Sequence, residues 1–267
     1  MKIFIKTLII FGTLLTSLYA AEWKAEGGVG MWNSSTNGAI EHYGNIDLLG
    51  VIATDIDITD SMSNQSSMFG YAYVNIQHSI SMAPNIGFEY SHVQGLGDIT
   101  YFEQSLWFGN SITLHSETQL AITQYDTLLF YPVLDNYLGL SLDLGVDIKY
   151  MTTRYQVSDL NVDTQSTAWV PMFYLHGRYE VLESGLSLNS DIKYITDGSS
   201  TLYDFKAKVH YTLPIEMQLH PGLELGYRVQ SFYVKGENSQ FLGDLFSGKS
   251  DVDVLFDGLY GGLTLQF

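Results

Sequence analysis

Hydrophobic and polar residues alternate strictly in the segment LGLSLDLGVDIKY, residues 138–150. One set of alternate positions is aliphatic or aromatic: Leu138, Leu140, Leu142, Leu144, Val146, Ile148 and Tyr150. The other set is small, polar or charged: Gly139, Ser141, Asp143, Gly145, Asp147 and Lys149. Because successive side chains leave a strand on opposite faces, this period of two predicts a β-strand with one apolar and one charged face.

The same alternation recurs along the chain and predicts ten strands. Their bounds are 23–33, 67–79, 86–93, 118–131, 137–150, 167–181, 186–196, 202–212, 222–234 and 252–267. Long polar joins at 34–66, 94–117, 151–166 and 235–251, with a shorter one at 197–201, alternate with tight turns at 80–85, 132–136, 182–185 and 213–221. A soluble β-sandwich has no reason to sort its loops by length, whereas an outer-membrane barrel has short periplasmic turns and long extracellular loops.

Aromatic residues lie at both ends of the apolar faces. Pairs such as Trp169 with Tyr179 and Tyr203 with Tyr211 are separated by eight to ten residues. At about 3.3 Å per residue and a tilt of about 40°, that length rises roughly 20 to 25 Å, the height of an outer-membrane apolar band. Lipid cannot satisfy an open strand edge. We therefore predict an all-β fold, a monomeric ten-stranded antiparallel transmembrane β-barrel with an up-and-down meander.

The first 20 residues have the pattern of a secretory signal peptide. Lys2 and Lys6 precede an apolar run from Leu8 to Leu18, and the small residue Ala20 follows. An uncleaved helical anchor is the alternative, but the run is shorter than the ~20 residues that a bilayer needs. We predict cleavage after residue 20, a barrel over residues 21–267, and localisation in the outer membrane of a Gram-negative bacterium. The mean hydropathy of +0.05 is too polar for a bundle of membrane helices, and the chain has no cysteine for disulfides.

The formal charge of −17 makes nucleic acid an improbable partner. The predicted loops carry much of this charge: Glu41, Asp47, Asp55, Asp57 and Asp60, then Asp98, Glu103 and Glu117. Asp55, Asp57 and Asp60 are weak candidates for binding a hard divalent cation, because the glycine and the terminal glutamate of a calcium loop are missing. A solvated acidic loop is favoured, and bridging through such cations to lipopolysaccharide phosphates is a milder form of the metal hypothesis.

If the polar faces point inward, the lumen receives a nearly balanced set of charges. Its acids are Glu26, Glu89, Asp126, Asp143, Asp147, Glu180, Asp191, Asp204 and Glu224, and its bases are Lys24, Lys149, Arg178, Lys193, Lys206, Lys208 and Arg228, with His176 and His210 nearby. A ten-stranded barrel is only slightly wider than the eight-stranded kind that side chains fill. We therefore predict an ionic plug rather than an open pore.

The chain ends in DGLYGGLTLQF, in which Tyr260, Gly262, Leu265 and Phe267 resemble the C-terminal assembly signal of outer-membrane proteins. The resemblance implies that the barrel-assembly machinery is a partner. Together with residues 125–150, this segment is also similar to a family of small proteobacterial outer-membrane β-barrel proteins of uncharacterised function. That similarity supports the fold and the location and implies no catalytic residue. For a barrel in this location, we predict outer-membrane lipid and lipopolysaccharide as partners.

An enzyme on the outer rim is the alternative class. Ten-stranded rim proteases use aspartate and histidine pairs, and the best pair available is His92 with Asp98. Ser91 and His92 are adjacent in a strand and face opposite sides, so they cannot act together as nucleophile and base. The sequence has no GxSxG, HExxH or phosphate-binding glycine loop, and we predict no enzyme and no cofactor. We expect a structural or surface-interaction role, with a narrow small-solute channel of mild cation preference as the second hypothesis and a rim hydrolase as the third.

Overall fold

The computed structural model describes residues 23–48, 51–62, 66–80, 82–104, 111–158, 162–182, 184–215, 219–235 and 250–267. Side chains are described for these residues except at 41–48, 51–62, 99–104, 111–115, 162 and 250. The predicted signal peptide lies outside the described residues. Within the described ranges, no helix has the length and the apolar character needed to cross a bilayer.

The described chain forms one antiparallel sheet. Its strands are β1 Trp23–Leu48, β2 Val51–Met62, β3 Ser66–His78, β4 Asn85–Gln104, β5 Ser111–Tyr137, β6 Leu140–Val157, β7 Val162–Val181, β8 Leu186–Thr196, β9 Thr201–Thr212, β10 His220–Val234 and β11 Ser250–Gln266.

The sheet closes on itself through its first and last strands. β1 pairs with β11 from Glu26↔Gln266 to His42↔Ser250. Its other edge pairs with β3 over its first half and with β2 over its second half, so β2 and β3 together fill one position in the wall. The predicted closed, ten-stranded antiparallel barrel is thereby confirmed. No strand edge of this wall is left open along β1, as a membrane-spanning sheet requires.

Three of the predicted long loops are instead mostly strand. β4 and β5 pair as far as Gln104↔Ser111, and β6 and β7 as far as Val157↔Val162. β1 and β2 form a third such hairpin. The predicted bounds were wrong because they ended each strand where the outward face stopped being apolar, although β-branched and aromatic residues with high strand propensity continue beyond that point. Of the join 235–251, residues 236–249 lie outside the described chain.

The predicted turn at 132–136 was also wrong. The chain reverses two residues later, at Leu138 and Gly139, which have φ angles of 52° and 85°. Two consecutive residues with positive φ are typical of the type I′ turn of a two-residue hairpin. Pro132 and its neighbours mark register shifts within β5 rather than the turn. Leu138, the first residue of the alternating segment, is therefore a turn residue.

The outward and inward faces exchange polarity along the strands. The exchange occurs at a row of aromatic rings, Tyr125, Tyr150 and Trp169, whose neighbouring centroids are 6.4 and 4.8 Å apart. We call the part on the short-turn side of this row the lower half and the part beyond it the upper half. In the lower half of β11, the outward residues are Leu259, Leu263 and Leu265, which are 52 to 62% exposed. In its upper half the outward residues include Asp251, Asp253 and Asp257, and the inward ones are Val252, Val254 and Phe256.

Candidate functional site

A layer of buried ions crosses the middle of the lumen. Lys149 on β6 donates hydrogen bonds from Nζ to both oxygens of Asp126 on β5, at 2.8 and 2.7 Å, and to Gln124 Oε1 at 3.0 Å. Its Nζ is also 3.7 Å from Asp204 Oδ2 on β9. Lys149 is 1% exposed, so its charge depends on these partners rather than on water.

A second lysine in this layer reaches across the lumen to carboxylates on the adjacent strands β4, β5 and β6. Lys193 on β8 donates to Asp126 and, at 2.9 Å, to Glu89 Oε2 on β4. It also lies 3.7 Å from Asp147 Oδ2. Asp147 is fully buried, and neither of its carboxylate oxygens has a hydrogen-bond partner in the described chain. Its interaction with the layer is therefore a longer-range attraction to Lys193 and Lys149.

The arginine of the layer has a fixed orientation. Arg228 on β10 binds Asp204 in a bidentate manner, with Nε–Oδ1 at 2.9 Å and Nη2–Oδ2 at 2.6 Å. Its Nη1 is 3.3 Å from Glu89 Oε1, and its guanidinium carbon lies 4.8 Å from the centre of the Trp32 ring. Arg228 thus connects the buried ions to the aromatic ring of Trp32.

A lower ring of ions and tyrosines lies nearer the short turns. Tyr71 and Tyr73 on β3 donate to the two oxygens of Glu224, at 2.6 and 2.9 Å. Lys208 donates to Glu224 Oε2 at 2.7 Å. On the other side of the lumen, Asp191 Oδ1 accepts from the Tyr174 hydroxyl at 3.0 Å and lies 2.9 Å from His176 Nδ1. Glu26 and Arg178 pair at 3.2 Å.

Inward-facing glycines make room for two of these tyrosines. A Cβ on Gly28 would lie 2.4 Å from the Tyr73 ring. A Cβ on Gly262 would lie 2.6 Å from the Tyr71 hydroxyl and 2.4 Å from the carbonyl oxygen of Val29. The glycine of the proposed assembly signal therefore also has a packing reason in the folded barrel.

Apolar side chains fill the lumen above the ions. They form one buried cluster that includes Trp32, Val93, Leu120, Ile122, Met151, Val170, Met172, Leu202, Phe232, Val254 and Phe256. Phe232 and Phe256 meet edge to face, with ring centroids 6.0 Å apart. Leu120, Ile122 and Met151 are completely buried. The upper half of the barrel therefore has the hydrophobic core of a water-soluble barrel.

A cavity of about 580 Å³ occupies the lower lumen, where the lower ring of ions and tyrosines lines its wall. Residues of the short turns, such as Ser79, Asp135 and Asn136, line it at one end. Trp32, Tyr260 and Arg228 line it at the other. Its volume lies in the range of pockets that bind small molecules.

The structure brings the predicted lumen residues together inside the barrel. The thirteen residues proposed as a charge network are Glu26, Glu89, Asp143, Asp147, Lys149, Arg178, Asp191, Lys193, Asp204, Lys206, Lys208, Glu224 and Arg228. Twelve of them form ion pairs within 4.0 Å, and the exception is Asp143. Three further predicted bases are not among the thirteen. Lys24 is exposed at the cavity's edge, His176 lies beside Asp191, and His210 lies 2.7 Å from the Thr264 hydroxyl.

The other predicted sites are not assembled in this way. The backbones of Asp55, Asp57 and Asp60 lie in strand β2 rather than in a loop, and their side chains are outside the described part, so the metal hypothesis stays a prediction. No group of three or more potential ligands that could hold a metal occurs among the described residues.

The candidate catalytic pair, His92 with Asp98, is not assembled either. His92 Nδ1 lies 3.0 Å from the Thr123 hydroxyl. Asp98 is six residues farther along the same strand, which is about 20 Å in an extended chain. The two do not form a catalytic pair.

The proposed assembly signal lies in the strand that closes the barrel. Phe267 and Ala25 exchange backbone hydrogen bonds of 2.8 and 3.1 Å between the last residue and β1. Tyr260 is buried, whereas Leu265 and Phe267 are 52 and 65% exposed. These positions describe the folded state, and recognition by the assembly machinery stays a prediction.

Sequence reasoning missed the apolar upper lumen and the tyrosines of the lower ring. The signal for the upper lumen was present in the segment TQLAITQYD, residues 118–126, where Leu120 and Ile122 share a face with Asp126. Following that face upward through the whole strand would have predicted an apolar interior above the ions. Tyr71 and Tyr73 alternate with Ala72 and Val74, so their face could be predicted only after the register was known.

Exposed ions in the upper half behave differently from the buried layer. Arg154 on β6 and Asp163 on β7 form a bidentate pair, with Nε–Oδ1 at 2.8 Å. The hydrogen bond and the opposite charge raise the pKa of Arg154 and lower the pKa of Asp163. Their side chains are 50 and 48% exposed, so water and salt screen the pair.

Comparison with solved structures identifies the fold. The outer membrane protease OmpT from Escherichia coli matches with a TM-score of 0.53 at 11% identity, over 91% of this chain and 97% of that chain. The chain has the fold of an outer-membrane β-barrel protein. At this identity the likeness shows the fold alone. No family model and no curated protein matches the sequence.

Two further barrels match at lower scores. The β domain of the Bordetella autotransporter BrkA has a TM-score of 0.33 at 12% identity, over 90% of this chain and 98% of that chain. A Pseudomonas aeruginosa FadL homologue has a TM-score of 0.29 at 10% identity, over 92% of this chain and 90% of that chain. These scores are too low for a comparison of detail.

Proposed function

We propose that the protein is a monomeric, non-conducting barrel of the Gram-negative outer membrane, with a structural or surface-interaction role. The apolar cluster in the upper lumen carries this proposal. A hydrated ion that crossed the barrel would have to enter a layer in which Leu120, Ile122 and Met151 have no contact with solvent. Below that layer it would meet charges that already neutralise one another. Both layers oppose conduction, for different physical reasons.

Surface interaction is supported by the acidic exterior of the upper half. Glu117, Asp163 and Asp253 are exposed there, and the side chain of Asp257 faces outward. Such a surface would attract divalent cations that bridge to lipopolysaccharide phosphates.

We also propose that the chain belongs to the small proteobacterial barrel family, a proposal that rests on residues 125–150 and on the C-terminal segment. We infer no enzymatic activity, because His92 and Asp98 lie too far apart to act on one substrate group.

Ion conduction tests the proposal directly. The mature protein would be refolded into liposomes, checked for heat-modifiable mobility on gels, and fused with a planar bilayer. We expect no stepwise current, whereas an open porin prepared in the same lipid serves as the positive control. Swelling of the same liposomes in small neutral sugars tests uncharged solutes. Discrete current steps or rapid swelling from folded wild-type protein would replace the proposal with a narrow channel.

A further inference from the structure

One carboxylate in the lower lumen has no hydrogen bond and no ion pair within 4.0 Å among the described residues. Asp143 on β6 is 5% exposed and lines the cavity. It is the only one of the nine predicted lumen carboxylates that has neither a hydrogen bond nor an ion pair within 4.0 Å in the described chain. A buried ion is costly unless something neutralises it, so this oxygen pair is a site for a positive group.

The nearby bases are already occupied. On the neighbouring strand β7, His176 points its Nδ1 at Asp191, and Arg178 pairs with Glu26 and Glu180 at 3.2 and 3.1 Å. Across the cavity, Lys208 pairs with Glu224. His176 is also the direct cross-strand neighbour of Asp143, but its Nδ1 is directed at Asp191. A cation that enters beside Asp143 therefore displaces no hydrogen bond and no ion pair of that carboxylate.

Two aromatic rings lie one strand step above Asp143. Phe130 on β5 and Tyr174 on β7 both pair with Gly145 on β6, and their ring centroids are 5.9 Å apart. Gly145 is two residues from Asp143, or about 6 to 7 Å along the strand. The Tyr174 hydroxyl is bound to Asp191, which fixes the ring in place. Leu128 and Leu134 extend the same apolar wall along the cavity.

We propose that this part of the cavity binds an organic ammonium ion. The charged nitrogen lies between the Asp143 carboxylate and the Phe130–Tyr174 rings, and the apolar part of the ligand fills the space along β5. An aromatic face and a carboxylate together suit alkylated ammonium groups. A hard metal ion does not fit, since Ca²⁺ requires six to eight oxygen ligands and this wall offers one carboxylate. The inference goes beyond the proposed function and holds whether or not the barrel conducts.

Calorimetric titration of the folded, full-length mature barrel in a non-ionic detergent tests the site. The probe is benzyltrimethylammonium, with benzyl alcohol as the neutral comparison and phenylacetate as the anionic one. We expect saturable binding of the ammonium probe and weaker binding of both comparisons. Absence of saturation up to about 10 mM, or equal binding of phenylacetate, would overturn the proposal.

Variants locate the site. Asp143→Asn keeps the side-chain shape and is expected to weaken binding of the ammonium probe about tenfold or more, without changing binding of benzyl alcohol. Phe130→Leu keeps an apolar side chain and should weaken the same binding about two- to fivefold. Asp253→Asn removes an exposed, outward carboxylate in the upper half and should leave the affinity unchanged. Heat-modifiable mobility confirms that each variant is folded. Equal affinity of wild-type protein and Asp143→Asn would refute the assignment.

Discussion

The lower and upper halves of this barrel use the same strands with opposite polarity. In the lower half, leucines such as Leu263 face outward and ions such as Lys193 face the axis. In the upper half, aspartates such as Asp253 face outward and residues such as Phe256 fill the axis. The backbone pairing of β11 with β1 runs through both halves without a break in register. The sheet itself therefore does not determine which face is apolar. The medium around each half determines it. In the upper half the exterior meets water, so the apolar side chains turn inward, whereas in the lower half the exterior meets hydrocarbon, so they turn outward.

The largest expected effect comes from removing a buried cation in the lower half. Lys193→Met leaves Asp126, Glu89 and Asp147 with one positive charge fewer in a layer closed to water. We expect the free energy of unfolding to fall by about 3–5 kcal/mol, measured by urea titration of tryptophan fluorescence in lipid vesicles.

A second variant separates the loss of a charge from the loss of packing. Lys193→Met combined with Asp126→Leu removes both partners, so the layer keeps its net charge. We expect this double variant to regain at least half of the lost stability. If Lys193→Met alone were as stable as the wild type, the ionic layer would not be a source of stability.

The next effect distinguishes the outward faces of the two halves by placing the same residue on each. Leu263→Arg introduces a cation near the centre of the apolar band of β11, and we expect a loss of about 2–4 kcal/mol. Asp253→Arg introduces it ten residues earlier on the same strand, where the outward face meets water, and we expect a change within about 0.5 kcal/mol. The same vesicle titration measures both. Equal losses at the two positions would show that the exchange of polarity does not mark the edge of the bilayer.

The smallest effect concerns an ion pair in the upper half. Arg154→Gln removes the partner of Asp163, and because both side chains are about half exposed we expect no measurable shift of the urea midpoint at neutral pH. The lowered pKa of Asp163 fixes the sign of any residual effect. Stabilisation would be present above the ordinary carboxyl pKa and would disappear as the pH falls through the lowered value. A clear midpoint shift that persists in acid would contradict this assignment.

The sequence was sufficient to predict the closed ten-stranded barrel, because alternation and loop sorting are local patterns. Position alone indicated that Asp147 and Lys149 share one face of their strand. The prediction that this face lines the lumen needed the aromatic residues at both strand ends and the sorting of the loops by length as well. The upper lumen was not predicted, because the period of two continues unchanged where the two faces exchange polarity. The exchange is visible only in which residues occupy one face, such as Leu120 and Ile122 above Asp126.

That Asp143 has no hydrogen bond and no ion pair within 4.0 Å in the described chain could not be predicted either. It depends on which strands bring Asp191 and Glu26 within reach of His176 and Arg178, and those contacts follow from the register of the closed sheet.

The outward aspartates of β11 also determine how deeply the barrel can be immersed. Sliding it by two residues, or about 5 Å along its axis, would bring Asp257 into hydrocarbon, and the opposite displacement would expose a row of leucines to water. Both displacements cost free energy, so the depth of the barrel in the bilayer is restrained against movement in either direction along its axis. The outward residues of β11 therefore favour one depth of the barrel in the bilayer.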